Sequence, residues 1–328
     1  MKKSLKVLSL VLALAITALC MAGCGSSKSS SDGKKLKIGI IQYMSHPSLD
    51  NCYKGVTEGL KSLKQDYEID YQVGSAASAD ADCTSFASNM VSGNCDMIIA
   101  IATPAAKAAY TATADTDIPV IFCAVSDPVE AKLVSSLETP GDNCSGTSDV
   151  LDLSAQVKMI KSIQPEVKKI GILYTSSEDN SVSNLKRFRE VCKTENIEVV
   201  ASAIQSASDV PSAAEDLAGK VDCINNFTDN NVVNNLSVVL SAAEKHNIPV
   251  YGSEEEQVKN GCLASVSIDY VALGKVTGEM AVDALNGSDL SKMSVKQITD
   301  ATPIINEKVL NSLSLKLPED FQNATIIK

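Results

Sequence analysis

The sequence predicts an α/β protein with two doubly wound lobes, each with a parallel sheet covered by helices on both faces. Short apolar runs rich in β-branched residues alternate with longer segments of helical periodicity, a pattern typical of parallel strands that are buried on both faces. The series occurs twice at a similar pitch, in residues 36–124 and again in 168–252. Most apolar runs end in polar residues at a helix start, which predicts a ligand crevice at that edge of each sheet.

Each element follows from this alternation, taken in chain order. The first series predicts strands at Leu36–Ile41, Ile69–Val73, Met97–Ile101 and Ile118–Cys123, and helices at Leu49–Lys64, Thr84–Val91 and Ala105–Ala114. The second predicts strands at Lys169–Tyr174, Ile197–Ala203, Asp222–Asn225, Ile248–Tyr251 and Leu263–Val266, and helices at Leu151–Ile163, Ser183–Glu195, Val210–Gly219 and Val232–Lys245. Because each series has its own strands and helices, each predicts its own core.

The first 35 residues carry a different pattern, which predicts export and a lipid anchor. Three lysines precede an uncharged apolar run, and the small residues of Met21-Ala22-Gly23-Cys24 follow it. This arrangement is typical of a secretory signal peptide over residues 1–23, with Cys24 as the lipidated residue of a bacterial lipoprotein. Residues 24–35 are rich in Gly and Ser, as in a flexible tether. We expect a protein anchored in the cell membrane and facing the extracellular or periplasmic side; an uncleaved membrane helix is the alternative.

Composition narrows the classes of function. The chain has 328 residues, with 29 Lys and Arg against 40 Asp and Glu, and a formal net charge of −11. This acidic balance argues against binding to nucleic acid, which relies on clustered Lys and Arg. Hydrophobic residues make up 45% of the chain, enough to build a sizeable core.

Eight cysteines lie beyond the predicted lipid site, and none of them forms a CxxC pair. They are Cys52, Cys83, Cys95, Cys123, Cys144, Cys192, Cys223 and Cys262. Several lie inside apolar runs, where Cys behaves as a small hydrophobic residue, so we expect buried free thiols, with one disulfide as the alternative. With only two His in the chain, the sequence has no zinc-ligand spacing.

No catalytic motif is present. The sequence contains no GxSxG, GxGxxG or HExxH pattern, so no nucleophile is paired with a base. Residues 141–147 (GDNCSGT) have phosphate-loop glycine spacing without the lysine, and we predict a turn there that enters a crossover between the domains. His246 is expected to cap a helix end, and Glu254 to open a short helix. We therefore predict a protein that is not an enzyme and has no cofactor and no metal; a hydrolase is the less favoured alternative.

Short motifs occur in a specific order from about Leu36 to Phe321. They are residues 38–50 (IGIIQYMSHPSLD), 101–106 (IATPAA), 125–129 (VSDPV), 140–149 (PGDNCSGTSD), 174–181 (YTSSEDNS) and 249–254 (PVYGSE), then Asp269-Tyr270, Leu273-Gly274 and Thr277-Gly278. In these motifs the chain resembles the ABC-transporter substrate-binding lipoproteins of the family that includes tryptophan/tyrosine-binding proteins. The resemblance implies a type I periplasmic-binding fold, in which two lobes joined by a three-stranded hinge close on a ligand.

The resemblance also implies where the chain passes between the lobes. Crossings are expected near Gly146–Asp149, Val266–Tyr270 and Val295–Thr299, with the helix Val271–Leu285 returning to lobe 1. Lobe 1 would then contain residues 36–147 and 270–298, and lobe 2 residues 148–269 and 299–328.

The implied function is solute capture for an ABC importer. A monomer would bind a small solute between its lobes, with an amino acid favoured and an aromatic or apolar one preferred, and would deliver it to the permease and its ATPase. Two alternatives stay open: a sensor that presents its ligand to a membrane kinase, and an importer protein for a nucleoside or a sugar. The absence of Trp counts modestly against a sugar.

Loop position and resemblance together predict fifteen ligand contacts. They are Tyr43, Met44, Ser45, Thr103, Pro104, Asp127, Ser148, Ser177, Asn180, Phe227, Thr228, Asp229, Ser253, Glu254 and Asp269. The carboxylate of an amino acid is expected at Thr103, with Ser45 or Ser253 as further donors. Since a buried charge needs a partner, Asp127, Asp229 or Asp269 would receive the ammonium. Tyr43, Met44, Pro104 and Phe227 are expected to line an apolar side-chain pocket.

Overall fold

The structure is a computed structural model that describes residues 35–298, 301–321 and 323–328. The predicted signal peptide and Cys24 lie outside the described residues, as does almost all of the predicted tether. The segment Leu36–Lys328 is one compact unit and contains both lobes.

Strands and helices alternate along the described residues. The strands are β1 (Leu36–Gln42), β2 (Tyr67–Val73), β3 (Met97–Ile101), β4 (Val120–Cys123), β5 (Cys144–Ser148), β6 (Lys169–Thr175), β7 (Glu198–Ile204), β8 (Cys223–Asn225), β9 (Val250–Tyr251), β10 (Ala264–Ser267), β11 (Lys296–Gln297), β12 (Thr302–Asn306) and β13 (Thr325–Ile327). The helices are α1 (Pro47–Leu60), α2 (Ala79–Ser92), α3 (Thr103–Ala112), α4 (Leu153–Ile163), α5 (Asp179–Thr194), α6 (Val210–Ala218), α7 (Asn230–Asn234), α8 (Leu236–Lys245), α9 (Glu255–Lys259), α10 (Tyr270–Leu285) and α11 (Glu307–Ser312).

Lobe 1 is a doubly wound parallel sheet, as predicted. Its strand order is β2-β1-β3-β4-β5-β11, and every described pairing within it is parallel. The central strand β3 is buried along its whole length, as expected for a strand that is covered on both faces. Helix α1 packs against α10, and α2 packs against α3.

Lobe 2 repeats this arrangement. Its parallel sheet has the order β7-β6-β8-β9, and backbone hydrogen bonds from Leu263 N to Val250 O (2.7 Å) and from Gly252 N to Ala264 O (2.9 Å) place β10 beside β9. Strand β12 then pairs antiparallel with β10 and parallel with β13. Two apolar clusters form the core of the lobe, one including α4 and α5, the other α6 and α8.

The chain passes between the two sheets three times. Strand β5 belongs to lobe 1 and is followed by α4 and β6 of lobe 2; β10 of lobe 2 is followed by α10 against lobe 1; and β11 pairs with β5 before β12 joins lobe 2. The third passage includes residues outside the described ranges. These pairings support the lobe boundaries given above, which stay predictions.

Two local predictions were wrong. In the turn predicted over residues 141–147, residues 144–147 belong to β5, whose five residues are all buried. Its small polar residues do not form the apolar run that marks the other buried strands. The single helix predicted over Val232–Lys245 is divided at Asn235 into α7 and α8. The eight cysteines are all free and buried, which agrees with the prediction.

Four glycines allow α1 and α10 to approach until their backbones touch. A Cβ on Gly274 would lie 2.1 Å from the carbonyl oxygen of Cys52, and one on Gly55 would lie 2.1 Å from that of Val271. Gly59 and Gly278 face the opposite helix in the same way, with closest approaches of 2.4 Å. Since only glycine fits at these distances, this contact fastens the returning helix to lobe 1.

We predict that Gly274→Ala destabilises the protein, because the methyl group has to push two helix backbones apart. Overpacking in a core typically costs ~1–3 kcal/mol, and this neighbour is backbone that cannot rotate away. Urea unfolding should show a loss in this range or above it. The control is Gly219→Ala, where the nearest atom is the ring of His246 at 3.3 Å, and where we expect much less change. Equal losses in the two variants would contradict the role given to the helix contact.

Candidate functional site

The carboxyl ends of the two sheets face each other and the lobes touch there. Polar contacts between side chains join the two lobes. They include His46 Nε2 with Asn230 Oδ1 (3.2 Å), Ser126 Oγ with Thr228 Oγ1 (3.4 Å), Ser183 Oγ to Asp127 Oδ2 (2.6 Å), Asn51 Nδ2 to Glu256 Oε1 (3.3 Å) and the ion pair of Lys107 with Asp179. The structure therefore shows the lobes in mutual contact over a crevice built by both.

A small cavity lies inside this crevice. Its lining residues are His46, Ser48, Leu49, Ala102, Thr103, Ala124, Ser126, Asp149, Asn180, Thr228, Asn230, Val233, Glu254, Gln257 and Tyr270. The volume of the cavity is about 20 Å³, so the lobes or side chains have to move to admit a ligand larger than a water molecule. The lining contains neither Lys nor Arg.

Strained backbone marks the lobe-1 wall of the cavity. Ala102 has φ = 81° and ψ = 155°, and Ala124 has φ = 56°, both in regions that residues with a Cβ rarely adopt. They directly follow β3 and β4, and the strained turn at Ala102 leads directly into α3. The first turn of α3, with Thr103 at its start, is thereby directed at the cavity, and its backbone N–H groups have no partners within the helix.

Several buried polar atoms in the wall have no hydrogen-bond partner. They include His46 Nδ1, Thr103 Oγ1, Asn180 Oδ1 and Gln257 Oε1, and each of these residues lines the cavity. Leaving a buried donor or acceptor unpaired costs ~1–3 kcal/mol. These atoms are available to form hydrogen bonds with a polar ligand.

Two buried carboxyl groups also line the cavity. Asp149 accepts hydrogen bonds from Ser126 Oγ and Tyr270 OH, both at 2.9 Å, and burial raises its pKa. Glu254 accepts the backbone N–H groups of Glu256 (2.7 Å) and Gln257 (2.8 Å) at the start of α9. Burial raises the pKa of Glu254 to about 7. These groups favour a ligand that carries positive charge, since a cation would compensate their burial.

A third buried carboxyl group, Glu178, supports the lobe-2 wall. Its Oε2 accepts hydrogen bonds from Asn230 Nδ2 (2.7 Å), Asn180 Nδ2 (3.0 Å) and Asn230 N (3.2 Å). Burial, followed by the charge of Asp229, raises its pKa to about 8. Glu178 therefore fixes the orientation of two amides that face the cavity.

Four of the fifteen predicted contact residues line the cavity: Thr103, Asn180, Thr228 and Glu254. Six others are buried outside the lining: Tyr43, Met44, Ser148, Phe227, Asp229 and Ser253. The carboxylate of Asp229 accepts four hydrogen bonds within lobe 2, from Thr175 N, Thr175 Oγ1, Ser181 Oγ and Val232 N. Phe227 packs edge-on against Phe188 at 5.4 Å. Asp229 and Phe227 thus support the wall from behind.

The remaining five lie at the rim or outside the crevice. Ser45 is exposed and donates to Asp50, while Pro104 and Ser177 line a surface groove beside Thr103. Asp127 accepts from Ser183 across the lobes and from the backbone of Glu130. Asp269 is exposed and caps α10 through the N–H groups of Val271 and Ala272.

Most of the polar wall was not predicted from the sequence. Seven polar residues line the cavity but were not among the predicted contacts: His46, Ser48, Ser126, Asp149, Asn230, Gln257 and Tyr270. All except Gln257 belong to loops or crossings that the sequence already marked. Residues that line the cavity differ from those that only cap a helix in the direction of the side chain. Strand spacing does not determine this direction.

The described residues offer no metal site: no three His, Cys, Asp or Glu side chains come together as a possible ligand set. Among these residues, none of the helices combines the length and the apolarity required to cross a bilayer. What the geometry defines is a two-lobed protein that takes a small polar ligand between its lobes.

Comparisons with known proteins agree with this class. A family model described as ABC transporter substrate binding protein matches residues 37–325. A protein named Tyrosine-binding protein from Clostridioides difficile is 39% identical over 96% of this chain and 94% of its own. The chain belongs to the ABC transporter substrate-binding protein family, and its fold is that of the type I periplasmic-binding proteins.

Two solved structures bear on the arrangement of the lobes. The ABC domain in complex with L-Trp from Streptococcus pneumonia has a TM-score of 0.85 at 34% identity, covering 89% of this chain and 100% of that one. A ligand-free, open substrate-binding protein from Clostridium difficile has a TM-score of 0.67 at 37% identity, covering 89% and 99%. Because the identities are similar, the difference indicates that the lobes here are arranged more like those of the Trp complex.

We predict that Glu178→Gln makes the free energy of unfolding less dependent on pH. With a pKa of about 8 in the folded protein against 4.5 ordinarily, Glu178 holds a proton that the unfolded chain releases, so its contribution to stability falls as pH rises from ~4.5 to 8. Over this range the free energy of unfolding of the variant should rise relative to that of the wild type, by ~1.4 kcal/mol for each pH unit. Any cost of the new amide group is independent of pH.

Urea unfolding of both proteins between pH 5 and 8 measures this gain. Glu190→Gln, at an exposed position on the same helix α5, is the control and should track the wild type at every pH. A constant difference between Glu178→Gln and wild type would contradict the assignment.

Proposed function

We propose that this protein is the extracytoplasmic binding protein of an ABC importer. Its ligand is an amino acid, preferentially an aromatic or apolar one, which is enclosed when the lobes close on it. The observation that carries the proposal is the cavity itself, in which unpaired buried hydrogen-bonding atoms and buried carboxyl groups face the N-terminus of α3. A zwitterion satisfies both kinds of group at once. The names of the tyrosine-binding relative and of the L-Trp complex support the same ligand class.

The ligand carboxylate is assigned to the N-terminus of α3. This helix has ten residues, its positive dipole end faces the cavity, and the unpaired Thr103 hydroxyl lies in its first turn. Pro104 has no N–H group, so Thr103 and Ala105 supply the amides nearest to the ligand. With no Lys or Arg in the lining, hydrogen bonds and the helix dipole provide the pairing for this negative charge.

The ligand ammonium is assigned to Asp149 and Glu254. These two carboxyl groups line the cavity, whereas Asp127, Asp229 and Asp269 hold other partners outside it. Leu49, Ala102, Ala124 and Val233 supply apolar surface for the ligand side chain. Pairing both ligand charges offsets the free-energy cost of burying a zwitterion.

Membrane attachment and delivery complete the proposal. Cys24 is assigned as the lipid anchor, residues 24–35 as the tether, and the permease with its ATPase as the partners that receive the closed, ligand-bound monomer. The ligand is carried without chemical change, so it should be recovered intact after binding.

A ligand screen tests the function. Amino acids, nucleosides and sugars are added to the purified protein, and thermal stability is measured. A ligand at 100 times its Kd adds ~2.7 kcal/mol to stability, and we expect L-tyrosine, L-tryptophan or another apolar amino acid to produce such a shift. Stabilisation by a nucleoside or a sugar, with none by any amino acid, would overturn the proposed ligand class.

We predict that Thr103→Val weakens binding of the amino acid found in that screen. The substitution removes the hydroxyl and keeps the shape, and a hydrogen bond to a charged group is worth ~1.5–3 kcal/mol, or ~10- to 100-fold in Kd. Isothermal titration calorimetry gives the Kd. Thr111→Val, at an exposed position on the same helix, should bind as the wild type does. An unchanged Kd in Thr103→Val would remove the ligand carboxylate from α3.

We predict that Cys24 carries the lipid. Cells grown with radiolabelled palmitate should label the wild-type protein and the Cys20→Ala control, because Cys20 leaves with the signal peptide. The Cys24→Ala variant should carry no label. Label retained in Cys24→Ala would place the lipid elsewhere or exclude the lipoprotein assignment.

A further inference from the structure

His46 occupies an unusual position between the lobes. It lies in the loop between β1 and α1 of lobe 1, is 8% exposed, and lines the ligand cavity. Its Nε2 lies 3.2 Å from Asn230 Oδ1 of lobe 2. One imidazole therefore touches both the opposite lobe and the space assigned to the ligand.

The surroundings of Asn230 determine which ring nitrogen carries the proton. Asn230 Nδ2 donates to Glu178 Oε2 at 2.7 Å, and the backbone N–H of Asn230 donates to the same oxygen at 3.2 Å. Glu178 Oε2 also accepts from Asn180 Nδ2, so with three N–H donors on Oε2 the proton of this carboxyl group is carried by Oε1. The amide nitrogen of Asn230 thus faces Glu178 Oε2, and its amide oxygen faces the imidazole. Because an oxygen of this kind only accepts, His46 Nε2 has to be the donor.

The other ring nitrogen is then an acceptor without a donor. Burial lowers the pKa of His46, partly offset by Asn230 and by the nearby charge of Asp50, so the ring is neutral in the closed protein. With the proton on Nε2, Nδ1 carries a free lone pair, and it is buried without any partner. Asp149 and Glu254 are the carboxyl groups in the same lining, and they accept as well.

We propose that His46 couples recognition of the ligand to closure of the lobes. Its Nδ1 accepts a hydrogen bond from the ligand ammonium, and its Nε2–H holds Asn230 of the opposite lobe. The inference rests on the proposed function, since the ammonium belongs to an amino acid. A group that donates to Nδ1 fixes the tautomer that Asn230 requires. A group that accepts at that place forces the proton onto Nδ1 and removes the bond between the lobes.

Histidine NMR tests the tautomer in the unmodified protein. The chain has two histidines, so ¹⁵N labelling of histidine gives two rings, and His246→Gln assigns them. With L-tyrosine bound, we expect His46 to be protonated on Nε2 alone and its Nδ1 resonance to shift on ligand addition, while His246 stays unchanged. A proton on Nδ1 in the complex would overturn the proposal. Absence of any L-tyrosine or other amino-acid binding would instead count against the proposed function.

A pair of variants separates the two roles of the ring. His46→Gln places an amide near the Nε2 position and keeps a donor for Asn230 but loses the Nδ1 acceptor; His46→Asn keeps a group near Nδ1 and is too short to reach Asn230. Calorimetry with L-tyrosine and with 3-(4-hydroxyphenyl)propionate, which lacks the ammonium, gives the ratio of the Kd of the propionate to the Kd of L-tyrosine. We expect His46→Gln to reduce this ratio at least tenfold, and His46→Asn to weaken both ligands by a common factor. An unchanged ratio in His46→Gln would overturn the contact with the ammonium.

Discussion

The need to pair buried polar groups across the crevice governs the rest of this structure. When the lobes meet, acceptors on both walls leave water, and several, such as Gln257 Oε1 and Asn180 Oδ1, find no partner in the protein. Asp149 and Glu254 are desolvated in the same space. Closure without a ligand thus carries an uncompensated cost, and a ligand with matching donors and positive charge removes it. The same polar atoms and carboxyl groups therefore determine both which ligand is preferred and whether the lobes close.

Closure of the lobes on a ligand requires that each lobe is rigid and that the connection between the lobes is flexible. In lobe 1, the glycine contact brings the backbones of α1 and α10 together, so one helix has no space to slide along the other. The central strand β3 is buried along its whole length. In the proposed closure, the change in orientation of the lobes would be accommodated where the chain passes between the sheets. The strained residues Ala102 and Ala124 lie inside lobe 1. Because Ala102 leads directly into α3, its conformation directs the first turn of this helix toward the cavity, and this does not depend on the position of lobe 2.

The architecture could be predicted from the sequence, and the orientation of the site could not. Apolar runs such as Met97–Ile101 determine both the strand and its burial, so the doubly wound order follows from local pattern. Asp229 and Glu254 show the limit, since each is an acidic residue at a helix start after a strand. In the structure Glu254 lines the cavity, while Asp229 turns back onto Thr175 and Ser181. Strand β5 was missed because burial of polar Ser and Thr depends on partners distant in sequence, such as Thr277 beside Thr147 at 2.7 Å.

The acidic character of the cavity has a consequence for how ligand charge is balanced. The wall contains carboxyl groups and no Lys or Arg, so in the proposed binding mode the two ends of a zwitterion have unequal partners: its ammonium has Asp149 and Glu254, and its carboxylate has only hydroxyl, amide and helix dipole. Anions without a compensating ammonium would be repelled by Asp149 and Glu254 when these are ionised, and an uncharged solute would leave the two carboxyl groups without a cationic partner. In the proposed binding mode, the positive end of the ligand determines which solutes are bound, and the negative end orients the ligand against α3. The polar wall, rather than the apolar surface around it, then determines which class of solute closes the lobes.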